Sequence, residues 1–177
     1  MVHARHAVDV PLYRLPIQAT LATFLLGPIV GIADRILELV IEQNQTRRDA
    51  YTGEEKRHSP GLQRRVAEAA AEIESAWALV QRSCDLLDEA MQHEPPMNVS
   101  ARAQVRWNAA YANELCLRAT TRLLGGAGSG AAHDSNPLQR LARDITTASR
   151  HNMLDFDTAV LLRGQDMLGV ELSEVRT

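Results

Sequence analysis

At 177 residues the chain is long enough to bury one real core, and its net charge of −3 with a pI near 6.1 excludes the broad basic footprint of a nucleic-acid binder. Hydrophobic residues make up 45% but aromatics only 4%, so the core must be built from Ala, Leu, Ile and Val, which suits closely packed helices. Cys84 and Cys116 both fall on apolar helix faces, where buried free thiols are commoner than ligands or disulfides, and a reducing cytoplasm is the expected setting.

Residues 1–13 read as a flexible terminus without the apolar run and cleavage pattern of a signal peptide. His3 and His6 form an HxxH there, but no further ligands are placed to close a metal site. The first helix is expected over 14–46. Its stretch from Leu15 to Ala33 carries no charge and is about long enough to span a bilayer. Gln18, Thr20, Thr23 and the Gly27-Pro28-Val30-Gly31 interruption argue instead for a helix buried in a protein core or an oligomer. Pro28 should kink or restart it. Residues 44–60 then read as a frayed helix end and a solvent loop. Glu55 and His58 make an ExxH there, but no second ExxH or inward glutamate pair accompanies it, so a di-iron site is not expected.

The second helix is expected over 60–93, with Leu62, Val66, Ala69, Ile73, Trp77, Val80, Cys84, Leu87 and Met91 as one apolar seam. Trp77 reads as core, and Glu68, Glu72, Glu74, Arg64, Arg65 and Arg82 as the wet side. The third helix, 99–124, has the small-residue seam Val105, Ala109, Ala112, Cys116, Ala119 and Leu123, which suits a central helix with close neighbours. Trp107 and Tyr111 lie off that seam and are expected to cover a neighbouring helix or a partner subunit. Gly125 is the expected C-cap, opening a glycine-rich loop to Gly130. A dinucleotide fingerprint is rejected, because a helix rather than a strand precedes these glycines.

Asn136-Pro137 starts the fourth helix, 137–166. Leu138, Leu141, Ile145 and Ala148 form its apolar stripe, while Arg140, Asp144, His151 and Asp155 recur at i, i+4, i+11 and i+15. That polar face is either a solvated surface or the wall of a site. The whole is an all-α, up-and-down antiparallel four-helix bundle, one domain over 1–177, whose apolar first helix and small seam suggest a dimer or tetramer.

Gly125-Gly126-Ala127-Gly128, Pro137-Leu138-Gln139-Arg140, Arg143-Asp144, His151 and the closing Arg163-Gly164 to Leu168-Gly169 together resemble the C-terminal helical domain of the acyl-CoA dehydrogenase superfamily, over roughly residues 10–170. The pattern is most similar to the two-component flavin-dependent monooxygenases, which hydroxylate aromatic or related small substrates with reduced flavin, FMN or FAD, supplied by a separate flavin reductase. The family's upstream helical domain and β-barrel domain have no counterpart in this sequence. The resemblance implies that Gly125, Gly126 and Gly128 turn backbone N–H groups to a flavin phosphate or adenine end, often across a subunit boundary, and that Arg140 contacts the phosphate. It implies His151 as the catalytic residue, either donating a hydrogen bond beside the flavin or taking a proton from a phenol. Asp155 would orient that imidazole, and Arg143 with Asp144 would serve structure as an ion pair or subunit contact. No metal, nucleic acid or membrane is expected. Two other readings stay open. One is a catalytically inactive oligomerisation or scaffold module. The other is a true acyl-CoA dehydrogenase domain, for which no glutamate base can be matched.

Overall fold

The computed structural model describes residues 10–93 and 97–172; His3 and His6 lie outside the described residues. A single 3-10 turn, Pro11–Arg14, leads into α1, Ile17–Asn44. Next come α2, Pro60–Ala90, and α3, Val99–Ala127. Two short helices complete the chain, α4, Pro137–Ala148, and α5, Phe156–Met167. Among the described residues there is no strand beyond one isolated bridge between Arg48 and Glu55.

The sequence explains why α3 is central. All six seam residues from Val105 to Leu123 are buried, and their small side chains let α1, α2, α4 and α5 pack around it. Leu26, Ile29, Val30, Ala33, Ile36 and Val40 of α1 meet this seam in the main core, joined by Ile73 of α2 and by Leu138 and Ile145 of α4. A polar thread runs through the packing: Gln104 donates to Asn108 Oδ1 at 2.6 Å, and Asn108 Nδ2 donates to Ser83 Oγ of α2 at 3.2 Å.

Four expectations change. The α2 seam is rotated: Ala69, Glu72, Ile73, Ala76, Ser83, Leu87 and Ala90 face inward. Trp77 is 43% exposed, because its indole N–H donates to Asp34 of α1 at 2.7 Å, a bond that the core could not offer. Glu72, read as wet, is buried because Arg118 and Arg122 of α3 reach over it, both at 2.9 Å. α1 is continuous through Pro28, and no helix among the described residues is long and apolar enough to cross a membrane. The fourth helix is two helices: the chain leaves α4 at Ser149, makes a 3-10 turn at Asn152–Leu154 and restarts at Asp155. The bundle's fourth position is therefore filled by α4 and α5 in succession. Lastly, the 45–59 connection is built rather than frayed, with Asp49 accepting the Tyr51 and Thr52 N–H groups and pairing with Lys56.

Candidate functional site

The break between α4 and α5 creates the candidate site. Leu154 is buried and pins the 149–155 connection to the core, while the side chain of Asp155 caps α5 by accepting the Thr158 N–H at 2.9 Å. His151 thus lies outside both helices. Its Nδ1 accepts the Met153 N–H at 3.2 Å, and its carbonyl accepts the Leu154 N–H at 2.8 Å. Because Nδ1 is engaged as an acceptor, the neutral ring carries its proton on Nε2.

His151 borders an open cavity of about 330 Å³ with Asn113, Glu114 and Leu117 of α3 and with Arg150, Asp155 and Phe156. Phe156 lies at the edge of an aromatic cluster with Trp107 and Tyr111, whose rings stack 5.0 Å apart. Trp107 and Tyr111 therefore cover the neighbouring α5. Asp155 does not orient the imidazole. Its bonds to Thr158, and then the nearby Arg106, hold its carboxyl below the usual range. Arg106 is itself shifted down by burial, partly offset by Asp155. The earlier polar face dissolves, since Arg140 and Asp144 stay on α4 while His151 and Asp155 do not. Arg143 and Asp144 are exposed and form no ion pair among the described residues, as neighbours on a helix point apart.

The glycines lie elsewhere. Gly125 and Gly126 belong to the last turn of α3 rather than to a loop, and their N–H groups are committed to carbonyls one turn back. Their missing side chains admit Arg65, whose guanidinium would come within 3.0 Å of a Cβ on Gly125. The C-cap is Gly128, at φ 74° and ψ 175°. There Arg47 bonds the Ala127 carbonyl, so two arginines neutralise the negative end of α3. Arg140 is exposed on α4, about 12 Å of helix rise before its end. The structure thus separates the glycine turn and Arg140 from the cavity at His151. Asn113, Arg106, Glu114 and Phe156 were not singled out from sequence. The available signal was a pair of polar residues seven apart, Arg106 and Asn113, in an alanine-rich seam.

Residues 24–156 match the model of the acyl-CoA dehydrogenase C-terminal domain. The chain belongs to that family. It is 30% identical over 164 residues to the oxygenase component of p-hydroxyphenylacetate 3-hydroxylase from Acinetobacter baumannii, an alignment covering 92% of this chain and 39% of the relative. Among solved structures, XiaF from Streptomyces, in complex with FADH2 and glycerol, superposes with a TM-score of 0.86 at 28% identity over 92% of this chain and 41% of that one. The 3-HSA hydroxylase from Rhodococcus sp. RHA1 gives 0.82 at 25% identity, covering 95% and 44%. This acyl-CoA dehydrogenase-type domain thus spans about two fifths of the length of the relatives it matches.

Proposed function

We propose that this chain supplies the His151-bearing wall of a reduced-flavin site in the oxygenase component of a two-component monooxygenase, acting on an aromatic or related small substrate. The observation that carries the reading is His151 itself: an imidazole fixed by its own main chain at the rim of a cavity edged by Leu117, Leu154 and Phe156. His151 and Arg150 bring donors to this cavity and Glu114, Asp155 and Asp157 acceptors, and a planar heteroaromatic ring with both donor and acceptor atoms fits that set. The flavin, FMN or FAD, delivered by a separate reductase, supplies the oxygen-activating redox chemistry.

The hydrogen-bond pattern favours one of two roles for His151. Accepting a proton at Nε2 from a substrate phenol needs a lone pair there, which the neutral ring offers only after Nδ1 gives up the Met153 N–H. Donating from Nε2–H needs no rearrangement. In this reading His151 acts as a hydrogen-bond donor to the bound group at the edge of an open, mostly polar cavity. Arg140 and the turn at Gly128 are our candidates for a phosphate end. At Gly125 and Gly126 the N–H groups are used within the helix and Arg65 fills the room left by the missing side chains. Since that surface is separate from His151, one cofactor would meet His151 of one subunit and Arg140 of another.

Self-association is part of this reading. Ile17, Leu21 and Phe24 form an exposed apolar line on α1, and Gly27 and Gly31 beyond them have open space where side chains would stand. Dimer or tetramer formation would cover it. Both thiols are free, which suits a reducing cytoplasm.

The test is anaerobic titration of wild type, His151→Ala and Arg140→Ala with reduced FMN and FAD, read by tryptophan quenching. Each variant should bind roughly 3- to 10-fold more weakly, as expected for one lost hydrogen bond. No binding by wild type up to millimolar flavin would favour the inactive helical association module instead.

A further inference from the structure

The 149–155 connection that carries His151 is held from outside by two side chains of α3. Asn113, only 4% exposed, donates Nδ2 to the Ser149 carbonyl at 3.4 Å. Arg106, 7% exposed, donates Nη2 to the Asn152 carbonyl at 3.5 Å and faces the carboxylate of Asp155. The two donors are seven residues apart on α3, two helical turns, and so share one face. Their acceptors bracket His151 in the chain.

Polar groups at these positions are costly. A guanidinium and an amide stand here on a helix whose buried side is mostly small and apolar, and apolar residues of similar volume commonly pack in such places with equal or better stability. Moreover, Asn113 Oδ1 is buried and accepts no hydrogen bond from any described group. Stability alone therefore does not account for this amide. What the pair provides is a fixed main chain. With the Ser149 and Asn152 carbonyls held and Leu154 in the core, the Met153 N–H stays within reach of Nδ1.

We propose that Arg106 and Asn113 are positioning residues that hold His151 in its Nε2–H tautomer by anchoring the main chain on both sides of it. The functional meaning of this rests on the reading of His151 given above, but its test does not.

Long-range ¹⁵N–¹H spectra of the neutral histidine rings, with His151→Ala to assign the signal, report the tautomer directly and need no flavin. Wild type should show Nε2–H as the dominant form. Asn113→Ala and Arg106→Lys should raise the Nδ1–H population of His151 roughly 3- to 10-fold, on the scale of one lost hydrogen bond, and speed exchange of the Met153 amide. His58, in the distant 45–59 connection, should not change. Asn113→Ala is the safer variant to fold, because it also deletes an acceptor that is already unpartnered. Folded variants with the wild-type tautomer would overturn the proposal, as would a wild type that already carries its proton on Nδ1. Loss of fold in both variants would overturn it too, since the pair would then serve folding and not the imidazole. Tautomer changes without any flavin binding would uphold the positioning and sink the flavin reading, and the converse result would do the reverse.

Discussion

Glu72 lies inside the α2–α3 contact, where Arg118 and Arg122 both reach its Oε1 and Arg122 extends to Glu68. Burial pushes its carboxyl up, but the hydrogen bonds from Arg122 and Arg118 more than reverse this and leave it below the usual glutamate range. Its folded-state pKa is thus depressed, so the stability it contributes is present above the ordinary glutamate value and is lost as pH falls through the folded value. Glu72→Gln should destabilise the protein by about 2 kcal/mol near neutrality, with a smaller deficit in acid, as measured by urea unfolding across pH. Gly128 is a second such position. Its φ of 74° and ψ of 175° fall in a region that only glycine occupies readily, and a Cβ there would sit 2.5 Å from Arg47 Nη2. Gly128→Ala should cost about 2 kcal/mol by the same measurement, whereas Gly130→Ala, with open space around it, should cost far less.

The helix break is the element on which the site depends. Asp155→Ala removes the cap of α5 and should cost about 1 kcal/mol, with faster amide exchange at Thr158 and little change within α4. Helix existence was legible in this sequence because long periodic segments are bounded by proline, glycine and asparagine, and Asn98, Asn136 and Pro60 do start their helices. The α3 seam was legible because its apolar positions keep helical spacing from Val105 to Leu123, although Arg106, Asn108, Asn113 and Thr120 are buried beside it. The α2 seam was misplaced because Glu72 becomes a core residue only through arginines that lie 46 and 50 positions away, and Trp77 turns outward for an aspartate on another helix. Residues 149–155 contain no proline or glycine, and their conformation is set by Arg106, Asn113 and the Asp155 cap. Only the Asp155-to-Thr158 spacing hinted at it. His151 was therefore identified as a candidate, but the cavity around it was not.

At the scale of the molecule, one side of α1 remains apolar and uncovered. Ile17 is 78% and Phe24 63% exposed, on a helix whose other side is fully packed. If association covers this line, Phe24→Asp should shift sedimentation toward the monomer while leaving the circular dichroism spectrum unchanged, because Phe24 contributes nothing to the buried core. An unchanged sedimentation profile would move the contact to another face. The two tryptophans give this fold a pair of optical reporters. Trp77 is fastened across the α1–α2 boundary by Asp34, whereas Trp107 rests against Phe156 at the rim of the His151 cavity. In a Trp77→Phe background all remaining indole emission comes from the cavity side, so its intensity and colour would follow α5 as it docks or loosens, without any label.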